Sequence, residues 1–320
     1  MNTNEIVEKI IGGYRIKRND NSLIEHLKKC DFDELLVGAD KLRVEFKGEF
    51  VDLCSIIPGK SGNCGENCKF CAQSAHNHTK CDVYDLLDYE TIYKEASSNE
   101  SQGVHRFAIV NSGRCPSETD LGALIKIYEK LNVETGISLC ASLGFLTDEQ
   151  FSRLYKAGVR RYHNNIETSR SYFKNICTTH SFEDKIANIK RAQKAGLEVC
   201  SGGIIGMGES MDDRIEMAFD LQELSIKSIP INALIPIKGT PLEKLEQLSE
   251  EEILRTVAIF RFINPEADIR LAAGRSLIEN DGERAFSGGA NATITGDMLT
   301  TSGSTIKGDI EMLTRMGRNI

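Results

Sequence analysis

The chain predicts an α/β fold, a (β/α)8 TIM-type barrel with an N-terminal helical cap, and three observations carry that expectation. Short β-like runs recur eight times after residue 50, helical runs fall between them, and two helices end in the same Lys-Ala-Gly that leads at once into a strand. Eight strands joined by right-handed helical crossovers pair in parallel, and eight is the number that closes such a barrel. An open six-stranded doubly wound sheet is the alternative. A length of 320 residues suits one large barrel or two domains. No linker, low-complexity segment or compositional break divides the chain, so residues 1–50 are expected as the helical cap and 51–320 as the barrel domain.

The first fifty residues place apolar side chains at Leu23, Ile24, Leu27, Leu35 and Leu36 without strand-like alternation, which reads as helix. The strand candidates are Val51 to Ile57, Arg106 to Val110, Gly136 to Ala141, Val159 to Ile166, Glu198 to Ile205, Ile229 to Ile235, Asp268 to Ala272 and Ala292 to Ile294. Helices are expected among others at Asp148 to Lys156, Glu183 to Lys194, Asp212 to Leu224 and Glu251 to Ile263, several with acidic residues in the first turn, where the helix dipole favours them. Gly158 and Gly196 close two of the helices as left-handed stops.

Hydrophobic residues make up 40% and charged residues 27%, with mean hydropathy −0.28. No stretch approaches the ~18 unbroken apolar residues of a membrane span. The opening MNTNEIVEKIIGG carries acidic residues where a signal peptide would carry a basic flank, so a cytoplasmic protein is expected. A net charge of −8 and a pI near 5.4 argue against nucleic acid, whose binding draws on clustered Lys and Arg, and favour small-molecule ligands. Ten cysteines in a reducing compartment point to metal or redox chemistry.

The sharpest motif follows the first strand. Cys64, Cys68 and Cys71 are spaced C-x3-C-x2-C on a Gly-punctuated loop, at the end of the barrel where active sites gather. Soft thiolates this close select an iron-sulfur cluster or zinc. Structural zinc, with His76, His78 or Cys81 as fourth ligand, fits less well, because such sites usually pair C-x2-4-C with a distant second pair. Cys30, Cys81 and Cys115 lie outside the strand cores and read as incidental thiols.

The triplet, with Phe70 before its last cysteine, resembles the radical S-adenosylmethionine superfamily, in which three thiolates hold a 4Fe-4S cluster and the cofactor chelates the fourth iron. Further segments narrow the resemblance to the biotin synthase family: Tyr162 to Ser169, Asn175 to Thr179, Val199 to Glu209, Pro230 to Asn232, Lys238 to Pro241, Arg270 to Arg275, and Gly289 to Asn291 through Leu299 to Thr301. The likeness runs from about Val51 to Thr301.

The resemblance implies a radical S-adenosylmethionine sulfurtransferase that converts dethiobiotin to biotin, consuming two cofactor molecules per product through a 5'-deoxyadenosyl radical. It implies Phe70 near the adenine, Asn165 and Glu167 on the ribose hydroxyls, and Lys185 on the methionyl carboxylate, as a point charge where relatives carry Arg. Gly206 and Gly208, in the glycine-rich run after the fifth strand, are expected to let backbone approach the cofactor. A tight strand-to-helix turn is the bland alternative for that run. Asn232 offers the donor and acceptor that suit the ureido ring of dethiobiotin, Thr300 and Thr301 are expected on its carboxylate, and His163 and Asn164 on substrate or cofactor. A homodimer and an electron donor such as flavodoxin or ferredoxin follow from the same likeness.

The sulfur source implied by the family is an auxiliary iron-sulfur cluster, 2Fe-2S in relatives, held by three Cys and one Arg. Cys140, Cys200 and Arg270 stand in matching contexts, but the position that should carry the remaining Cys, after Arg106-Phe107, is Ala108. Cys54 stands where the family usually has Ser, so it is expected to replace the missing ligand in a shifted or larger centre, with Cys177 as the competing candidate. Buried free cysteine is common, which is the plainer reading of each thiol. Two rivals remain: a related radical enzyme of hydrogenase maturation or methylornithine formation, which Cys140, Cys200 and Arg270 together disfavour, and a zinc-stabilised binding protein without catalysis.

Overall fold

A computed structural model describes residues 2–296 and 304–320. Three helices open the chain, α1 (Thr3–Ile11), α2 (Asn21–Lys29) and α3 (Phe32–Lys47). A capping box starts the first: Asn2 Oδ1 accepts from the Glu5 amide at 2.9 Å while Glu5 accepts from the Asn2 amide at 3.1 Å.

The strands are β1 (Asp52–Lys60), β2 (Arg106–Asn111), β3 (Ser138–Ser142), β4 (Arg161–His163), β5 (Glu198–Cys200), β6 (Gly203–Ile205), β7 (Ser228–Ala233), β8 (Asp268–Leu271) and β9 (Ala292–Ile294). Every ladder is parallel, in the order β5-β4-β3-β2-β1-β9-β8-β7-β6, and pairing of Cys200 with Ser228 joins β5 to β7 and closes the ring. The segments β5 and β6 are two halves of one stave, so the barrel is eight-stranded as expected. Their break falls at Gly202, where a Cβ would meet the Pro230 carbonyl oxygen at 1.9 Å. Only glycine lets the stave pass its neighbour there.

Around the barrel run α4 (Tyr89–Ser101), α5 (Glu118–Glu134), α6 (Asp148–Lys156), α7 (Phe182–Lys194), α8 (Met211–Glu223), α9 (Glu250–Ile263), α10 (Glu279–Phe286) and α11 (Ile306–Arg315). Asp88, Ser117, Thr147, Ser181, Ser210, Ser249 and Thr305 each accept a backbone N–H at a helix start. Each such cap is worth ~1 kcal/mol and fixes where the chain leaves a loop. The strand expected at Val159 to Ile166 shrinks to three residues, because beyond His163 the backbone turns out to bond with the broken fifth stave: the Glu167 amide donates to Gly202 O at 3.1 Å and Ile204 donates to Glu167 O at 2.8 Å. Gly158 and Gly196 adopt the left-handed conformation expected of helix stops. The chain end returns to the start of the barrel through a bridge between Phe50 and Asn319. Among the described residues no helix is long and apolar enough to cross a membrane.

Candidate active site

Side chains on a strand alternate between faces, so residues two apart on each stave share the barrel interior. Asp52, Cys54 and Ile56 on β1, Ala108 and Val110 on β2, Cys140 and Ser142 on β3, and Arg161 and His163 on β4 follow this rule, and all but Asp52 line one cavity of about 310 Å³ with Cys200 and Arg270. Phe70, Cys71 and Gln73 reach the same cavity from the loop after β1, while Asn165, Glu167 and Asn232 reach it from the ends of β4 and β7.

Three thiols, Cys54, Cys140 and Cys200, are buried in this interior, and all ten cysteines of the chain are free of disulfides. The neighbouring Cys140 thiol, together with the Arg270 charge, outweighs burial and lowers the Cys54 pKa, while Cys54 and burial raise that of Cys140. Burial pushes the Cys200 thiol up, but the neighbouring His163 and the charges of Arg270 and Arg161 hold it below the usual thiol range. Its Sγ also lies 3.4 Å from Ser228 Oγ.

Below the thiols is an ionic floor. Asp52 Oδ2 accepts from Arg270 Nη2 at 2.5 Å, Arg106 Nε at 3.0 Å and Arg161 Nη1 at 3.2 Å, and Arg161 reaches on to Glu198 at 2.6 Å. Burial raises the Asp52 pKa, yet the three guanidiniums hold it well below the usual carboxylate range. Arg270 also donates from Nη1 to the carbonyls of Asp52 at 3.1 Å and Thr293 at 2.8 Å, and from Nε to Ser228 Oγ at 3.4 Å. These bonds leave one of its five N–H groups for a ligand.

The triplet loop is fastened by its backbone, which leaves its thiols free to converge. Cys64 N donates to Gln73 O at 2.9 Å, Lys69 N to Ile176 O at 2.9 Å, and Asn77 Nδ2 to the carbonyls of Cys68 at 3.2 Å and Cys71 at 2.8 Å. Burial pushes the Cys71 thiol up to about 11, so a metal must displace its proton on binding.

Beside the loop stands the pair Glu167 and Lys185, with Nζ 3.1 Å from Oε1. Glu167 has φ 72, a left-handed conformation that costs about 1–3 kcal/mol in a residue other than glycine, and its two backbone bonds to the fifth stave hold it there. Its carboxylate therefore has a fixed direction. Asn165 Oδ1 accepts from Gly202 N at 3.0 Å. Asn232 bridges two staves, donating to Gly203 O at 3.0 Å and accepting from Ala273 N at 3.2 Å, so one amide hydrogen and one lone pair remain for a ligand.

Several of the expected site residues stand away from the cavity. Asn164 alternates to the outer face of its strand, where its Oδ1 accepts from Asn188 on α7 at 3.3 Å, and it does not line the cavity. Gly206 and Gly208 do not line it either: both have positive φ in a turn that Glu209 locks by accepting from the amides of Gly206 and Met207 at 2.7 Å. Cys177 lies 3.7 Å from Cys68, against the triplet loop and outside the ring of interior thiols, because its loop runs from the top of β4 into α7. Thr300 and Thr301 lie outside the described residues. Asp52 and Arg161 escaped the sequence reading, although each stands two residues from a residue it did single out, Cys54 and His163, and strand alternation could have found both.

The thiols fit iron-sulfur groups: three on one loop, and three buried deeper in the same cavity beside a buried guanidinium. Residues 60–221 match the Radical SAM superfamily model, and residues 230–319 match the Biotin and Thiamin Synthesis associated domain. The biotin synthase of Alkaliphilus metalliredigens is 54% identical over 317 residues, covering 99% of both chains. That of Clostridium perfringens is 56% identical over 294 residues, 92% of each chain. Among solved structures, methylornithine synthase superposes with a TM-score of 0.85 at 20% identity over 98% of this chain and 96% of its own. The FeFe-hydrogenase maturase of Carboxydothermus hydrogenoformans superposes with 0.80 at 18% identity over 99% of this chain and 78% of its own. At such identities these two show the fold alone.

Proposed function

Because the chain belongs to the biotin synthase family of the radical S-adenosylmethionine superfamily, we propose a role for each group lining its cavity in the conversion of dethiobiotin to biotin. It is a radical S-adenosylmethionine sulfurtransferase. Cys64, Cys68 and Cys71 hold the 4Fe-4S cluster, and Cys54, Cys140 and Cys200 hold the auxiliary cluster. When bound, these groups supply the electron that cleaves S-adenosylmethionine and the sulfur that enters the product.

Arg270 serves the auxiliary site as a cation. Paired with Asp52 it stays protonated, and a guanidinium in that state has no lone pair to give a metal. Cys54 then stands in for the thiol that Ala108 lacks. At the mouth, Lys185 binds the methionyl carboxylate, Glu167 and Asn165 accept the ribose hydroxyls, and Phe70 covers the adenine. Asn232 turns its free amide hydrogen and lone pair to the ureido ring, with His163 beside it. The apolar walls at Ile56, Val110, Ile204 and Ile294 enclose the aliphatic part of the substrate and exclude water.

The observation that carries this reading is a single cavity with Cys71 and Phe70 at one end and Cys54, Cys140, Cys200 and Arg270 at the other, so that one substrate faces both. Its test is the variant with Cys64, Cys68 and Cys71 all changed to Ala, which should form no 5'-deoxyadenosine while keeping the auxiliary iron signal. Retained cofactor cleavage would sink the assignment. A flavodoxin- or ferredoxin-type donor, a homodimer and a cytoplasmic location complete the reading, the location supported by ten free thiols.

A further inference from the structure

Cys177 belongs to neither thiol set. It is buried beneath the triplet loop, with its Sγ 3.7 Å from Cys68 Sγ, 3.4 Å from Nδ1 of His180 and 3.8 Å from Nε2. The donor atoms of Cys68, Cys177 and His180 all fall within 4.8 Å of one another. A tetrahedral ion with sulfur at about 2.3 Å and imidazole nitrogen at about 2.0 Å separates two thiolates by about 3.8 Å, and a thiolate from an imidazole by about 3.5 Å. The two sulfurs match that spacing, and Nε2 stands 3.8 Å from Cys177 Sγ, within a few tenths of an ångström of the edge such an ion needs.

His180 is also oriented as a metal ligand is. Its Nδ1 faces the carboxylate of Glu66, which Arg114 Nη1 holds at 3.0 Å. A carboxylate there accepts a hydrogen bond from Nδ1–H, which leaves the Nε2 lone pair for a metal. Thiolate and imidazole donors in this geometry suit zinc, which binds them more tightly than ferrous iron does.

We propose that in the cluster-free chain Cys68, Cys177 and His180 bind a single divalent ion of the zinc class, and that an ion there excludes the four-iron cluster by occupying Cys68. The ion site stands on its geometry alone. The exclusion rests on the reading of Cys64, Cys68 and Cys71 as cluster ligands. The site would make cluster loading sensitive to zinc, through a residue the cluster itself does not use.

The full-length chain, stripped of clusters by chelator under anaerobic conditions, is dialysed against zinc and its bound metal counted. Wild type should hold one equivalent more than Cys177→Ala. With cobalt(II) in place of zinc, wild type should show thiolate-to-metal charge-transfer absorption that weakens in Cys177→Ala. Reconstitution with iron and sulfide should give the same four-iron signal in both proteins, which also reports that the variant folds. One equivalent of zinc added beforehand should cut that signal severalfold in wild type and leave it unchanged in Cys177→Ala. Equal zinc content or equal zinc sensitivity overturns the proposal. So does loss of the four-iron signal in zinc-free Cys177→Ala, because Cys177 would then serve the cluster itself. Cys71→Ala separates the two readings: it should lose the four-iron signal and keep the extra zinc. If it keeps the four-iron signal, the cluster reading fails and the exclusion is overturned with it, while the zinc count still decides the ion site.

Discussion

Cys140 on β3 and Cys54 on β1 are buried in one cavity, and the strand between them offers only the methyl group of Ala108 at the level of Cys140. The ladders pair Cys54 with Arg106 and Cys140 with Ala108, an offset of two residues that the tilt of barrel strands absorbs. The sulfur missing from β2 has its counterpart one stave away, within reach of the same centre.

Cys54→Ser should therefore lose most of the auxiliary iron and all biotin formation, while Cys177→Ser keeps both. Iron and sulfide analysis of the two variants, beside a biotin assay, decides it. Full auxiliary iron in Cys54→Ser together with its loss in Cys177→Ser would reverse the assignment.

Lys185→Met should weaken S-adenosylmethionine binding by about tenfold to a hundredfold, the ~1.5–3 kcal/mol of a hydrogen bond to a charged group. It should also leave the largely buried Glu167 carboxylate without its partner. Lys185→Arg should restore most of the affinity. Equilibrium dialysis with the cofactor measures both, and an unchanged dissociation constant in Lys185→Met removes the residue from the site.

Asn232→Ala should weaken dethiobiotin binding by ~1–3 kcal/mol, since a buried polar group of the ligand loses its partner. The same change removes the bridge from Gly203 to Ala273, so the melting temperature should fall as well. Calorimetric titration of the reconstituted enzyme separates the two effects. Wild-type affinity in a destabilised variant would leave Asn232 a purely structural bridge.

Asp52→Asn should lower the melting temperature at neutral pH, because the buried guanidiniums of Arg161 and Arg270 and the half-buried one of Arg106 lose their shared anion, and breaking a buried pair costs about 3–5 kcal/mol. The folded Asp52 pKa lies below its unfolded value near 3.8, so its contribution is complete above that value and fades only as pH falls below it. The gap in melting temperature between wild type and Asp52→Asn should thus stay constant from pH 8 to pH 5. A gap that narrows within that range counts against the ion pairing.

What the sequence determined by itself was local and periodic. Eight β-like runs between helical runs set the barrel, Ser, Thr and Asp set the helix starts, and the spacing of Cys64, Cys68 and Cys71 set one thiol cluster, because each of these signals lies within a few residues of chain. Family likeness added Cys140, Cys200 and Arg270, and the exchange of Ala108 for Cys54 was visible as a pair of odd residues. The tertiary structure decided which inward residues meet. Strand tilt brought Cys54 to Cys140, alternation sent Asn164 outward to Asn188, and the crossing of two loops set Cys177 and His180 against Cys68. It also gathered Arg106, Arg161 and Arg270 around Asp52. These encounters join residues 24 to 218 positions apart, and the spacing of a single chain cannot encode them: they follow from barrel closure, which fixes the stagger of every stave at once.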